Sequence, residues 1–508
     1  MRRPINWLIV LLMLVGLLHS ALVRADTPSS RKLISECWYE RRTDKGKMGY
    51  LHQATYLVEV DGRKIYRSEQ RDLLKYLRSG DPYTAEDSQY CVETEDGQVL
   101  ELGYKTALGK NQFLIVRGKP KGDVLLLEVL DQQGLKTIFE QTVPWDKRAI
   151  GLAAQDRLLA GKELKPGQII AFHYFQTSMN RVIPSTFTVI GSQQITIGGE
   201  LRPVIAIRQS YPKDIYFDPS DLFIDPQSRE LLRTQEESSG FGVLIQDKVT
   251  QSQALAEFTP EVKDVESPIL INKPIKPFRR GGPKELIIKV SHDTDDDIAT
   301  LFVPDGRQEV IKAMGKTVEL RLRTKPQVNK DEPTPDDPKP PQEFLASNFY
   351  IRSDAAEVIA LAKKAVGDET DPRIRMRLIR NWVRRNVKGG YEVPFATADE
   401  VARTLEGDCT EMGVLSAAMG RALGIPTRIC FGLVYDNDNP GFGGHLWTEA
   451  YVNGHWEVFD ATGVVHMLGA AYLKVGHYSL HGVINPDELT PVRRAFAGKM
   501  HVELVESR

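Results

Sequence analysis

A chain of 508 residues with 41% apolar side chains is long enough to build about three domains with proper cores. Its formal charge of −2 excludes the basic surplus that a nucleic-acid partner requires, so none is expected. Four cysteines are too few for a disulfide scaffold, and each has to be read singly.

Residues 1–25 stand apart from the fold. Arg2 and Arg3 precede an apolar run from Trp7 to Leu18, and Val23-Arg24-Ala25 offers a small-x-small cleavage pattern. This is the pattern of a secretory signal peptide. An uncleaved anchor is the alternative, although twelve apolar residues are short for a bilayer span. Losing three arginines and no acid would move the charge to about −5. The expected location is periplasmic or extracellular, with association with the cell envelope possible, and oxidation could pair Cys37 with Cys91. Cys430, inside RICFGLVY, reads as a buried core residue.

Residues 26–260 form a β-rich domain of antiparallel strands whose role would be binding, positioning or shielding. Asp61-Gly62 and Asp96-Gly97 each lie between extended runs, a hairpin signal, and Gly198-Gly199 marks another turn. EQRDLLKYLRSG, residues 69–80, is the one stretch with a helical look. A second β domain follows at 276–325, where KELIIKV and TVELRLRT alternate. SHDTDDD at 291–297 invites a calcium loop, but counting from Asp293 puts Ile298 at the required glycine and Pro304 at the required glutamate. It therefore reads as a solvated acidic loop. Residues 326–344 are a Pro-rich linker by composition.

The last region, 345–508, turns helical and then β. Asp371 is a plausible N-cap with Pro372 at the first helical position, and the arginines that follow read as a solvated face. In EGDCTEMGVLSAAMGRALGIPTR, the apolar positions Met412, Leu415, Met419 and Leu423 repeat at helical spacing until Gly424 and Pro426. Cys409 thus opens a helix, where backbone N–H groups and the helix dipole favour a thiolate. A structural cysteine does not need that position, whereas a nucleophile benefits from it.

Asn453-Gly454 predicts a two-residue hairpin in HLWTEAYVNGHWEVFDATG. Val452 then faces His455, and Asp460 falls opposite Trp447, two residues from His445 on the same strand face. His445 and Asp460 become diagonal neighbours roughly 7–8 Å apart at Cα. Glu457 points to the other face, and Glu449 is about 13 Å along the strand. Cys409, His445 and Asp460 therefore have the types and order of a nucleophile, a proton shuttle and an orienting carboxylate. His477 and His481, four residues apart, lack a third metal ligand and read as structural.

GDCTE at 407–411, ALGIPTR at 422–428, HLWTEAYV at 445–452 and WEVFDAT at 456–462 together resemble the transglutaminase-like superfamily of thiol enzymes. The resemblance covers about 370–465. It implies a papain-like α+β domain, a helix-start cysteine packed on an antiparallel sheet, with Cys409, His445 and Asp460 as catalytic triad. It also implies a thioester formed with a protein or peptide amide, then passed to water or an amine, with no cofactor. Tyr391 or the Trp382 region could supply an oxyanion donor beside the Cys409 N–H, although Trp382 reads more naturally as packing. A non-catalytic β-rich binding or scaffold protein with a vestigial site is the rival reading.

Overall fold

A computed structural model describes residues 31–508 except 61, 79–80, 109–111, 161–162, 216, 239–240, 264–268, 276–282, 294, 296, 305, 325–337, 390–394, 437–439, 464–469, 483–494 and 496–499. The expectations for the leader at 1–25, for Tyr391 and for most of the Pro-rich linker lie outside the described residues. Among the described residues no helix is long and apolar enough to cross a membrane.

The N-terminal region is one antiparallel sheet of fourteen strands. It begins with β1 (Arg31–Thr43), β2 (Gly46–Val60), β3 (Arg63–Arg78) and β4 (Asp81–Thr94), and continues from β5 (Val99–Ala107) to β14 (Gly242–Val249). Each strand pairs with the next as far as the eighth, and likewise from the ninth to β14, with β1 and β14 joining the two runs. Two short helices, α1 (Leu152–Arg157) and α2 (Gln251–Ala254), fill gaps along it.

One expectation fails here, and one pairing left open by the sequence is absent. Residues 69–78 are strand, not helix: β3 pairs with β4 without a break from Ile65↔Thr94 to Arg78↔Asp81. Glu, Leu, Lys and Arg favour a helix in isolation, but partners on both sides override that weak preference. Nor do Cys37 and Cys91 pair, both being free thiols. They sit on β1 and β4 with two strands between them, about 14 Å at 4.8 Å per strand, and a disulfide needs Cα atoms about 6 Å apart.

A four-stranded sheet follows, from β16 (Glu285–His292), β17 (Gln308–Met314), β18 (Thr317–Arg323) and the C-terminal β23 (Met500–Ser507). Alternation sorts its faces: Leu286, Ile288, Val290, Val318, Leu320 and Leu322 are buried, while Arg321 and Arg323 pair with Glu309 outside at 3.1 Å each. The acidic loop after β16 is not wholly solvated, because Asp295 is buried and its N–H donates to His292 Nδ1.

Among the described residues the C-terminal domain has four α-helices, α3 (Ala356–Val366), α4 (Pro372–Asn386), α5 (Ala398–Thr404) and α6 (Cys409–Ala422). Its sheet comprises β19 (Thr427–Asp436), β20 (Gly441–Val452), β21 (His455–Val458), β22 (Tyr472–Tyr478) and the short β15 (Ile269–Leu270), with β19 and β20 at the centre. Both β15 and β23 cross the boundaries drawn from sequence: one segment before residue 276 and one from the chain's end are traded between sheets.

That sheet is covered on both faces. Leu446, Ala450 and Val452 join a core with α3–α6 that also contains Leu114, Leu125 and Trp145 of the large sheet. Leu433, Phe442 and Trp447 pack on the small sheet through Leu286, Ile288 and Leu320. Each large side chain fully buried this way contributes about 1.5–3 kcal/mol. Helix α6 comes close enough to β20 that a Cβ on Gly413 would lie 2.2 Å from Leu446 Cδ2. That close seating fixes where the head of α6 meets the strand.

Candidate active site

The head of α6 is built by a capping box spelled out in Asp408-Cys409-Thr410-Glu411. The Asp408 side chain accepts the N–H groups of Thr410 and Glu411, and Glu411 Oε2 accepts the Asp408 N–H at 3.0 Å. The same Glu411 accepts the Ala396 N–H through Oε1 at 3.1 Å, tying the segment before α5 to the cap. Burial, then the Asp408 carboxylate, pushes the Glu411 carboxyl up to about 8. The cap occupies the second and third helical N–H groups and does not take up that of Cys409, the first.

The hairpin of β20 and β21 has the register read from Asn453-Gly454. Both turn residues have positive φ, 53° and 83°, as a two-residue turn of this kind requires. Val452 pairs with His455 and Glu449 with Val458, and the Phe459 N–H still reaches Thr448 O at 2.8 Å. One residue further on, Asp460 faces back toward His445, and its Oδ2 lies 3.0 Å from His445 Nε2. The Cys409 side chain hydrogen-bonds the same imidazole. With Nε2 committed to Asp460, Nδ1 is the ring nitrogen left for the thiol. The three residues singled out from sequence therefore meet in space.

The His445 and Asp460 side chains are 6% and 1% exposed, so bulk water does not screen their pairing. Burial alone would pull the imidazole down, but its bonds to Asp460 and Cys409 win and hold it well above its ordinary value. The Asp460 carboxyl moves the opposite way: burial raises it, and the bonds to His445 and Thr462 outweigh that and leave it lowered.

Asp460 is held by more than the histidine. Thr462 gives its N–H and hydroxyl to Oδ1 at 2.8 and 2.6 Å, and the Tyr472 hydroxyl donates to Oδ2 at 3.0 Å. Burial first, then the Asp460 carboxylate, hold the Tyr472 phenol well above its ordinary value, so it remains a donor. Tyr472 reaches Asp460 from β22, on the far side of β19. Gly432 on β19 lets β22 and Trp447 pack close, because a Cβ there would lie 2.0 Å from Leu473 O and 2.8 Å from Trp447 Cη2. Trp447 in turn stacks on His445, with centroids 6.0 Å apart and planes at 21°. Tyr472→Phe removes one of four bonds to the carboxylate. It is expected to lower kcat/KM about tenfold while the melting temperature stays near native, which steady-state kinetics and a thermal melt would check.

Neither rival carboxylate is available to His445. Glu457 pairs with Arg373 at 2.8 Å. Glu449 lies in a buried cluster, accepting Arg428 Nη2 at 2.6 Å and Lys474 Nζ at 2.8 Å. Burial would raise its carboxyl, but the two cations hold it far below the usual range. Gln308 ties this cluster to the small sheet, accepting the Lys474 N–H at 2.9 Å and donating to its carbonyl at 2.8 Å.

Other sequence candidates fall elsewhere. Cys430 is fully buried between the sheets, and Trp382 packs partly buried on the helical core. His477 lies on β22 opposite Cys430, while the His481 N–H donates to Ser479 Oγ. Among the described residues no cluster of three or more His, Cys, Asp or Glu could hold a metal. Sequence reasoning passed over Thr462, Tyr472 and the twofold role of Glu411. Thr462 had a signal, a hydroxyl two residues after an aspartate, and Glu411 completes a capping box. Tyr472 had none, since its approach depends on strand pairing.

A helix-start thiol, an imidazole and a buried carboxylate come together where helix α6 packs on an antiparallel sheet. Residues 359–461 match the family model of the transglutaminase-like superfamily, so the chain carries a transglutaminase-like domain. An uncharacterised protein of Haemophilus influenzae is 31% identical over 97 residues, 18% of this chain and 26% of that protein, so the match spans about a quarter of the curated relative. A Cytophaga hutchinsonii protein provisionally described as a cysteine protease aligns over 44% of this chain and 81% of its own, at 17% identity and a TM-score of 0.28. A β-barrel-like protein of unknown function from Brucella abortus aligns over 44% of this chain and 98% of its own, at 10% identity and a TM-score of 0.31.

Proposed function

We propose that the protein is an exported cysteine acyl-transfer enzyme acting on amide bonds of proteins or peptides, with Cys409 as nucleophile. The observation that carries this reading is the placement of His445 between the Cys409 thiol and the buried Asp460 carboxylate, 3.0 Å from the latter.

In the first half-reaction the Cys409 proton passes to His445 Nδ1 as Sγ bonds to the amide carbon. The Cys409 N–H faces the developing oxyanion. The C–N bond then breaks, the amine leaves with the proton from His445, and a thioester remains. In the second half, water or an amine attacks the thioester, giving its proton to His445. The C–S bond breaks, and the thiol recovers that proton. Asp460 holds the ring with Nε2–H directed at itself, so that Nδ1 is free to exchange the proton.

The acceptor, water or an amine, decides between hydrolysis and transamidation. The test is a mass-spectrometric screen of glutamine-containing peptides with and without an added amine. Native protein is expected to give cleaved, deamidated or cross-linked product, and Cys409→Ala none. Full activity in Cys409→Ala would overturn the reading.

A further inference from the structure

Glu411 is fully buried two residues after the thiol, and the chain closes tightly around it. A Cβ at Gly407 would lie 2.2 Å from Glu411 Cβ, and the φ of +148° there is one that glycine supplies. The carboxyl takes the Asp408 N–H on Oε2 at 3.0 Å and the Ala396 N–H on Oε1 at 3.1 Å. Among the described residues no cation pairs with it. It is also hydrogen-bonded to the Asp408 side chain.

That last bond has a chemical requirement. An ionised carboxylate only accepts, so two carboxyl groups bond each other only when one keeps a proton. Asp408 already accepts the N–H groups of Thr410 and Glu411, which favours the charge on its side. Glu411 is the member that holds the proton, and burial followed by the Asp408 charge pushes its titration up to about 8. Charged groups on the elements packed against α6 are engaged elsewhere. Asp399 and Glu400 of α5 pair with Arg403, which also takes Glu357 of α3. Arg380 of α4 acts on Asp460, Arg428 of β19 pairs with Glu449 of β20, and His445 bonds Cys409 and Asp460.

We propose that Glu411 is a positioning residue for the thiol: as a neutral acid sharing its proton with Asp408, it leaves one negative charge rather than two at the head of α6, and so keeps the place of Cys409 favourable to a thiolate. The proposal rests on the reading of Cys409, His445 and Asp460 as the reacting centre, and adds how pH controls that centre. When the Glu411 proton leaves to solvent, a second carboxylate stands within about one helical turn of Sγ. Its repulsion shifts the proton exchanged between Cys409 and His445 back toward sulfur, and the thiolate fraction falls.

The experiment follows the rate of Cys409 alkylation by iodoacetamide from pH 6 to 9.5 in native protein, Glu411→Gln and Asp408→Asn, each with a thermal melt. The Gln side chain mimics the neutral acid, its NH2 donating to Asp408 and its carbonyl accepting a backbone N–H. Native protein and Glu411→Gln are expected to react equally fast at pH 6. From about pH 8 native protein should fall behind, by at least about threefold at the alkaline end. Asp408→Asn keeps the cap and removes the neighbouring charge, so the same downward inflection should appear about one pH unit lower. That comparison needs only native and Asp408→Asn protein, and it stands even where Glu411→Gln does not fold. A native-to-Glu411→Gln ratio that stays flat, a lag already complete at pH 6, or an unmoved inflection in Asp408→Asn would each overturn the proposal. Native labelling no faster than a model thiol at pH 6 would instead remove the reacting centre, and the proposal with it.

Discussion

An Asp460→Asn protein is expected to fold and melt like the native one yet to lose about three to four orders of magnitude in acyl-transfer rate. The expectation follows from how the carboxylate is satisfied. Thr462 directs two donors at Oδ1, so an asparagine would keep its carbonyl oxygen there and turn its NH2 group toward His445 and Tyr472. The Tyr472 hydroxyl can accept that hydrogen bond as well as donate one. His445 cannot adapt without cost: facing a donor, Nε2 must become the acceptor, and the ring proton moves to Nδ1. That nitrogen then cannot take a proton from Cys409. Geometry survives and proton transfer fails. Rates of substrate turnover, alongside a thermal melt, check this, and a variant within tenfold of native would show that Asp460 does not set the tautomer.

Glu449→Ala is expected to destabilise the protein by about 3–5 kcal/mol, because it leaves the buried Arg428 and Lys474 side chains without their anion. At roughly 2–4 °C per kcal/mol, the melting temperature should fall by about 10 °C. The cluster has a pH signature as well. The Glu449 carboxyl is lowered in the fold from an ordinary value of 4.5. Its contribution is therefore complete above that pH and is lost as pH falls below it, when the unfolded chain takes up protons first. Native protein should lose stability more steeply than the variant on acidification. Denaturant unfolding at several pH values measures both effects, and a loss under about 1 kcal/mol at neutral pH would contradict the account.

Much of the site was legible because local signals reinforced one another. Asn453-Gly454 set the β20–β21 register, and that register put Asp460 diagonal to His445 and turned Glu457 away. Asp408 and Glu411 announced the head of α6 as a capping box, which explains the position of Cys409. What escaped depends on contacts between distant segments. Tyr472 meets Asp460 only because β22 pairs with β19. Residues 69–78 carry helix-favouring side chains, yet neighbouring strands claim them. The C-terminal strand β23 completes a sheet begun more than 200 residues earlier, which no local pattern could show.

The most direct test of the central claim is brief alkylation with iodoacetamide at pH 6, followed by intact-mass and peptide mapping, on native protein, Cys409→Ala and His445→Ala. A model thiol is almost fully protonated at that pH and reacts slowly. The account predicts one rapid adduct on native protein, mapped to Cys409, absent from Cys409→Ala and at least a hundredfold slower in His445→Ala. Labelling of native protein no faster than a model thiol, or undiminished labelling in His445→Ala, would contradict a histidine-activated cysteine.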